Sequence, residues 1–545
     1  MNLLTSFVPL VPLFGWAVGS TSGTNAWTRD LNDVFPAVED FRDVATVVGS
    51  LGLRTPASLR HNILIDYLLA RLAYVEPLEV TTQEFPIRKW QTLNDSTLFQ
   101  SGRLSIHGAN ISTQEIPIIG AIPWTSPTNS KSIHAPVIYV PQSVNLTTLD
   151  VTGKIVLRDF GPTSDIPYQL FFQLGIYRSN DTQVLVNSSY DRPYTGAPHR
   201  DLLDASLAGA AGYVSLFNVP REDIESYFNP HEGTHYYFLP GVYAGSEEAR
   251  VLKKAAEQGL SASISVEAEV RDTTQQQITA RLQGSTNETI YVVCHTDGNT
   301  YVQDNGVSAL VNMARYFGKL PMENRRKTIE FVFTTGHLGY ASDTTITLAE
   351  RLDTSYDNDE TVLVVALEHM GTLEILPIGS PSGAANGRAL QFTGQNEIMV
   401  WCVGPSKYLQ SISIASAKAR NLDRLFITPG TSIPDVDTVP EYSSFGGLGT
   451  SFHQHLIPTT SIISGPWSLW APRFGALAVD YNRLRDQTRA FADVITAVQP
   501  LSKQQIAGNY TEYRQRRAAG ARWAVEQRPP VSAPDQTALD EPVAG

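Results

Sequence analysis

Cysteine is scarce in this sequence, with only Cys294 and Cys402 among 545 residues. One disulfide bond between the two is possible, but a framework of several disulfides is excluded. Cys294 ends an apolar segment, so we expect its thiol to be buried like a small hydrophobic side chain. A chain of this length can bury a large core, and it favours two or more domains.

Charge is also sparse, and positive charge is in deficit. Charged residues make up 17% of the chain, and 41 Lys and Arg against 54 Asp and Glu give a net charge of −13. Such a chain repels phosphate backbones, so we expect no nucleic-acid partner. Beyond the amino terminus no stretch reaches ~18 uninterrupted apolar residues, so we expect no membrane span.

The amino terminus and the sequons predict a protein of the secretory pathway, either secreted or vacuolar. The uncharged segment MNLLTSFVPLVPLFGWAVGSTSG places Ala17, Val18 and Gly19 in small-x-small order and resembles a signal peptide over residues 1–19. A buried amino-terminal strand is the alternative. Seven sequons favour N-glycosylation, at Asn94, Asn110, Asn145, Asn180, Asn187, Asn287 and Asn509.

The middle of the chain predicts a separate β-rich unit. From 133 to 275, short apolar strands such as APVIYV alternate with small-residue helices such as LLDASLAGAAG. This order resembles the protease-associated domain, a β-rich insert found in secreted and vacuolar peptidases. The resemblance implies that residues 20–132 form the amino-terminal part of a peptidase-like domain that this insert interrupts.

Residues 276–502 predict a three-layer α/β/α domain. TIYVVCH, TIEFVFTT and TVLVVALEH are continuous apolar segments, typical of strands in a mostly parallel sheet that is covered on both faces. The helix SALVNMARYFGKL lies between the first two. From 503 to 545 we expect a charged helix followed by a Pro-rich, disordered tail.

Side chains that can bind metal ions follow each of these strands. His295 and Asp297 follow the first strand, with Asp304 nine residues after His295; His337 follows the second strand, and Glu368 with His369 follows the third. Reactive groups of parallel sheets gather at the carboxyl ends of strands. The sequence therefore predicts a present or former metal site at this edge.

Residues 291–342, YVVCHTDGNTYVQDNGVSALVNMARYFGKLPMENRRKTIEFVFTTGHLGYAS, resemble the secreted zinc aminopeptidase family, which includes glutamate carboxypeptidases, transferrin receptors and glutaminyl cyclases. The similarity extends over roughly 40–500 and implies a zinc-peptidase-like fold. Active members bind two zinc ions through a His, a bridging Asp, the second member of a Glu-Glu pair, a later Asp and a late His. The first Glu of the pair is the general base.

The resemblance implies roles for several residues of this chain. His295 matches the first ligand, Asp297 the residue that orients its imidazole, and Asp304 the bridging Asp. Glu368 stands where the later Asp belongs. The remaining positions depart from the family: Gly336 replaces the general base, His337 the second Glu, and Gly449 the late His, whereas His453 and His455 are out of register.

Two hypotheses follow from this partly preserved site. In the first, His295, Asp304, His337 and Glu368 bind a single zinc ion, Glu368 or Asp297 acts as the base, and the protein hydrolyses peptide or aminoacyl substrates. Two zinc ions are not expected, because ligands are missing. In the second hypothesis, the chain is a catalytically inactive relative that binds a protein partner, as transferrin receptors do.

Overall fold

Three continuous apolar segments form the centre of the main sheet. Strands Thr286–His295, Lys327–Thr334 and Thr361–Leu367 are buried over most of their residues and pair in parallel. Each needs apolar side chains on both sides, because both faces of the sheet are covered. The computed structural model confirms the buried parallel strands predicted from the sequence.

The structure describes residues 35–93, 101–108, 111–128, 131–161, 164–192, 197–229, 238–338, 343–379 and 388–524. From residue 36 onward they form one compact unit. The strands are β1 Glu79–Thr92, β2 Gly102–Gly108, β3 Ile111–Ile116, β4 Gly120–Ala121, β5 Ile133–Tyr139, β6 Ile155–Asp159, β7 Ser164–Pro167, β8 Tyr177–Arg178, β9 Ser189–Arg192, β10 Gly212–Leu216, β11 Gly241–Ala244, β12 Ser261–Val266, β13 Ala268–Leu282, β14 Thr286–His295, β15 Lys327–Thr334, β16 Thr361–Leu367, β17 Leu373–Gly379, β18 Arg388–Asn396, β19 Met399–Val403, β20 Leu425–Thr428, β21 Thr438–Val439, β22 Thr459–Ile463 and β23 Arg522–Trp523. The α-helices are α1 Val38–Leu51, α2 Leu59–Ala73, α3 Tyr168–Leu174, α4 Ala197–Leu207, α5 Ser246–Glu257, α6 Gly306–Gly318, α7 Thr344–Asp357, α8 Lys407–Ala419, α9 Gly449–Gln454, α10 Tyr481–Val498, α11 Lys503–Ala507 and α12 Tyr510–Ala518.

The main sheet has the order β1-β13-β15-β14-β16-β22-β19-β20-β8. Its four central strands, from β15 to β22, are parallel, and antiparallel pairs occur towards both edges. Helix α7 packs on one face, where Leu352 joins a core cluster with Val293. Helix α6 covers the other face so closely that a Cβ on Gly306 would lie 2.8 Å from the Cβ of Cys294. The predicted three-layer α/β/α fold is confirmed.

A second sheet lies between β1 and β13 in the chain, with the order β3-β2-β12-β5-β6-β10-β11-β4. Strands β1 and β13 pair antiparallel along their length and so bring the two ends of this segment together. Strands β2, β3 and β4 precede residue 133, where the sequence predicts that the β-rich unit begins. The assignment of this unit as a protease-associated domain stays a prediction.

Several local features differ from the sequence-based expectations. Helix α2 begins at Leu59, because Ser58 caps it by accepting a hydrogen bond from the amide of His61. Cys294 and Cys402 are buried free thiols, so the possible disulfide between them is not formed. In the region predicted as one charged helix after 503, the structure contains two short helices, α11 and α12.

Two predictions concern residues outside the described ranges. The signal peptide over 1–19 and the Pro-rich tail after 524 both fall there. Within the described residues, no helix is both long and apolar enough to cross a membrane.

Candidate metal centre

His295 ends strand β14 and is fully buried. Its Nδ1 lies 2.7 Å from the main-chain carbonyl oxygen of Asp297. Because a carbonyl only accepts, Nδ1 carries the proton, and in the neutral imidazole Nε2 keeps its lone pair. This Nε2 has no hydrogen-bond partner among the described residues. The resemblance implied that the carboxylate of Asp297 orients the ring, whereas in the structure the main chain of Asp297 does so.

The ring of His369, which follows strand β16, is also oriented by a hydrogen bond from Nδ1 to a main-chain carbonyl. Its backbone has a φ of +55°, which turns the chain directly after strand β16. Its Nδ1 donates to the carbonyl oxygen of Ser464, which follows β22. Its Nε2 is buried and has no hydrogen-bond partner in the described part of the chain.

Both free Nε2 atoms face one carboxylate. Oε2 of Glu368 lies 3.7 Å from Nε2 of His295 and 3.5 Å from Nε2 of His369. These distances are too long for hydrogen bonds, so the contacts are electrostatic. The other oxygen, Oε1, accepts a hydrogen bond of 2.7 Å from the amide of Leu448, which orients the carboxylate.

The three donor atoms fit a metal ion. They lie within 4.8 Å of one another and are the one such group of His, Cys, Asp and Glu found in the described ranges. Ligand atoms around a tetrahedral metal are roughly 3.3 Å apart for bonds of about 2 Å, close to the 3.5 and 3.7 Å separations seen here. Buried polar atoms in proteins nearly always have a partner. Two buried nitrogens without a hydrogen-bond partner are therefore expected where a metal ion would be the partner.

Charges in the group reinforce one another. Burial opposes ionisation of Glu368, but His369, His295 and His337 outweigh it and lower the pKa of Glu368 to about 2. Burial likewise disfavours protonation of His295, but the surrounding carboxylates raise its pKa to about 9. Burial lowers the pKa of His369 to about 4, so this ring is neutral at physiological pH. The group thus contains a permanent carboxylate that attracts a cation.

The segment after Glu368 is fixed by Asn305, the residue before helix α6. The side-chain amide of Asn305 donates to the carbonyl of Met370 at 2.6 Å, and its oxygen accepts from the Met370 amide at 2.8 Å. Thr372 and Ser464 donate their hydroxyls to the carbonyl of His369, at 2.8 and 3.1 Å. Both sides of the His369 peptide are therefore anchored to neighbouring loops.

Asp304, predicted as a ligand, lies outside this group of donors. Its two carboxylate oxygens accept hydrogen bonds from Nε and Nη2 of Arg54, at 3.0 and 2.7 Å. Neither partner of this ion pair is exposed to solvent. Bidentate Arg–carboxylate pairs are among the strongest charge-assisted contacts in proteins.

His337 and Asp297, the other two predicted site residues, border the group. The rings of His337 and His295 have centroids 4.2 Å apart, and Nδ1 of His337 lies 3.7 Å from a carboxylate oxygen of Asp343. Oδ2 of Asp297 accepts from the amide of Leu338 at 2.5 Å. Its Oδ1 has no hydrogen-bond partner within the described ranges, and burial raises the pKa of this carboxyl.

Two positions where the family has functional side chains are glycines that the backbone requires. Gly336 has a φ of +86°, a left-handed conformation in which a Glu would be strained. At Gly449, a Cβ would lie 2.6 Å from the Cβ of Ser461, so a His does not fit without movement of strand β22. At both positions the local backbone and packing therefore disfavour a larger side chain.

The histidines near Gly449 do not reach the centre. His453 bonds with Nδ1 to the hydroxyl of Tyr510 and with Nε2 to the carbonyl of Tyr442, each at 2.6 Å. Nδ1 of His455 donates to the carbonyl of Ser451 at 2.7 Å. Gly449–Gln454 is a helix, and the rings of His453 and His455 are both buried.

Sequence reasoning missed two residues of this centre. His369 was visible beside Glu368 at a strand end, but adjacent residues of a strand point to opposite faces. Only the positive φ of His369 turns both side chains to one side, and the sequence does not show this. Arg54 lies 250 residues from Asp304 and carries no motif that indicates the pair.

The fold is similar to that of solved aminopeptidases. BSAP, a zinc aminopeptidase from Bacillus subtilis, is 18% identical with a TM-score of 0.57, and the match covers 85% of this chain and 94% of that one. The peptidase M28 precursor from Shewanella amazonensis SB2B is 14% identical with a TM-score of 0.57 over 87% and 96%. An aminopeptidase from Aneurinibacillus sp. strain AM-1 is 15% identical with a TM-score of 0.52 over 85% and 92%. No protein-family model and no curated protein sequence matches the chain.

We expect Asn305→Ala to loosen the segment that carries His369. The substitution removes both hydrogen bonds to the main chain of Met370, and leaving buried amide groups unpaired costs about 1–3 kcal/mol. Hydrogen exchange followed by mass spectrometry should show the peptide over 368–372 exchanging about fivefold faster or more, because local opening becomes easier.

Asn312→Ala is the matched control for Asn305→Ala. Asn312 is equally buried on helix α6, but its amide donates at 2.9 Å to Ser308 within the same helix. Exchange over 368–372 should stay as in the wild type. Equal acceleration in both variants would contradict a specific role of Asn305.

Proposed function

We propose that the protein is a zinc-dependent hydrolase that uses one metal ion, held by His295, Glu368 and His369. The observation that carries the proposal is the pair of buried Nε2 atoms, without hydrogen-bond partners among the described residues, that face the same carboxylate oxygen. In this proposal His369 takes the place of Asp304 and His337, which the one-zinc hypothesis from the sequence included as ligands.

Zinc is the ion that this donor set suits best. Two imidazole nitrogens and one carboxylate oxygen are typical ligands of zinc, and three protein ligands leave a further position, as in catalytic sites. Bound there, zinc would polarise the scissile carbonyl group as a Lewis acid. The peptide or aminoacyl substrate is proposed from the likeness in fold to solved aminopeptidases.

Asp297 is the residue that we assign as the proton acceptor. Glu368 is committed through both oxygens, one to the ion and one to the amide of Leu448. In Asp297 the amide of Leu338 holds Oδ2 and leaves Oδ1 available. Oδ1 would receive the proton of the attacking water and pass it to the leaving amine, which is general acid–base catalysis.

Burial of the centre favours a second candidate function. His295, Glu368 and His369 are only 0%, 2% and 5% exposed, whereas a catalytic zinc site needs a coordination position that water or substrate can reach. In the second function the protein binds a partner without catalysis.

We propose that the second sheet, over residues 102–266, is a protease-associated domain, whichever of the two functions is correct.

Wild-type protein should bind one equivalent of zinc, and the ligand variants should lose it. We expect His295→Ala and His369→Ala each to weaken zinc binding by more than the roughly 10–100-fold that loss of an outer partner costs, since a direct ligand is removed. Competition with a fluorescent chelator measures the affinity. His455→Ala should bind like the wild type, because its ring is bonded to Ser451 instead. Unchanged binding in both ligand variants would contradict the proposed centre.

The zinc-loaded wild type should hydrolyse aminoacyl p-nitroanilides, and Asp297→Asn should slow the reaction. Loss of a general base typically lowers kcat by about 10²–10⁴, while zinc content should be retained because Asp297 is not a ligand. Glu247→Gln, a change of an exposed carboxylate on helix α5, is the control. A wild type that holds zinc but hydrolyses no substrate would favour the binding function, and full activity of Asp297→Asn would remove its assigned role.

We also propose that the protein is secreted and N-glycosylated. Five of the sequon asparagines are exposed, which are Asn145, Asn180, Asn187, Asn287 and Asn509; Asn94 and Asn110 lie outside the described residues. Protein from a eukaryotic host should lose mass on treatment with an N-glycosidase. Replacing the five exposed asparagines by Gln should abolish most of that shift, and a wild type without any shift would contradict export.

A further inference from the structure

Arg54 is the most completely bonded cation next to the candidate centre. Its side chain is fully buried. Nε and Nη2 donate to Asp304, and Nη2 donates also to the carbonyl of Thr300 at 3.0 Å. Nη1 donates to the carbonyls of Val48, at 3.3 Å, and Gly52. All five N–H groups of the guanidinium are therefore used.

The main chain holds Arg54 in this position. The amide of Arg54 donates to the carbonyl of Gly298 at 2.8 Å, and the amide of Gly298 donates back at 3.1 Å. Packing is tight, since a Cβ on Gly298 would lie 3.0 Å from Nη2 of Arg54 and 3.2 Å from Cγ of Asp304. The main-chain bridge joins the α1–α2 loop to the loop after β14, and the close packing at Gly298 leaves the guanidinium little space to move.

Asp304 is joined to the metal centre through its neighbours. Asn305, the next residue, holds Met370 beside His369, and Gly298 directly follows Asp297. A carboxylate buried at this place requires a positive partner, either a metal ion or a cationic side chain. In the structure that partner is a side chain, and it takes both oxygens.

We propose that the Arg54 guanidinium is a built-in cation that occupies Asp304 and limits the centre to one metal ion. This inference rests on the proposed function, because it concerns the same centre. An arginine stays charged at any physiological pH and no chelator removes it. Arg54 therefore provides at Asp304 the positive charge that a second metal ion would otherwise provide.

Removal of the guanidinium tests the proposal through zinc stoichiometry. Arg54→Ala should bind one equivalent more than the wild type, because Asp304 then becomes available as a ligand. Arg54→Lys, which keeps a cation there, and Arg54→Ala/Asp304→Asn, which removes the carboxylate as well, should both bind as many as the wild type. Equilibrium dialysis against zinc chloride with elemental analysis of the protein gives these numbers.

Arg54→Ala could fail to fold in the absence of metal, and a measurement of folding then tests the proposal. Circular dichroism followed during a zinc titration should then show the fold recovered by zinc, whereas the double variant should fold without it. Failure of zinc to restore the single variant, when the double variant folds, overturns the proposal. So does a folded Arg54→Ala that binds no additional zinc.

The outcome is separable from that of the proposed function. The inference is judged by the difference between Arg54→Ala and the wild type, whereas the proposed function is judged by zinc and hydrolysis in the wild type alone. A wild type that binds two equivalents overturns the inference and the stoichiometry of one ion, whereas zinc-dependent hydrolysis is then still decided by the activity assay. A wild type without zinc, with one equivalent gained by Arg54→Ala, supports the inference and contradicts the proposed function.

Discussion

The buried ion pair between Arg54 and Asp304 is the contact on which the arrangement of the centre depends. It joins the loop between α1 and α2 to the loop after β14, which are 250 residues apart in sequence. Loss of one partner from a buried pair typically costs about 3–5 kcal/mol, because the other charge is left uncompensated. The pair therefore fixes the loop that contains Asp297 and Asn305, and through it the environment of both histidines.

The fixed loops determine which nitrogen of each histidine can bind a metal. In both rings Nδ1 donates to a main-chain carbonyl, that of Asp297 for His295 and that of Ser464 for His369. The carbonyls come from different parts of the chain, yet they impose the same tautomer. Both Nε2 atoms then face Glu368, whose own orientation is set by the amide of Leu448. Backbone geometry, rather than further acidic side chains, organises the donor set.

The sequence predicted the scaffold better than the centre. Continuous apolar segments identify β14, β15 and β16, because strands covered on both faces need apolar residues throughout. His295 and Glu368 follow from their positions at strand ends, and the structure brings them together. Asp304 was assigned from the same logic, but its partner Arg54 depends on a tertiary contact that has no local pattern.

Backbone conformation accounts for the other gaps between prediction and structure. The positive φ of His369 turns its side chain to the same side as Glu368, and strand alternation would have placed it on the opposite face. The left-handed φ of Gly336 and the close packing of Gly449 against Ser461 likewise appear only in three dimensions. A larger side chain at either glycine would therefore require the surrounding backbone to move.

The number of carboxylates near the centre is related to the presence of Arg54 through charge balance. A centre with two cations needs several carboxylates to compensate them, and this chain places glycine and histidine, Gly336 and His337, where the related pattern has two glutamates. With fewer acidic groups, a second ion at Asp304 would leave excess positive charge in a buried site, which is costly. A single fixed guanidinium balances Asp304 alone and leaves Glu368 as the carboxylate that would compensate one bound ion. Glycine and histidine at 336 and 337 and the buried arginine at 54 are thus electrostatically consistent with each other, whether the centre catalyses hydrolysis or stabilises a binding protein.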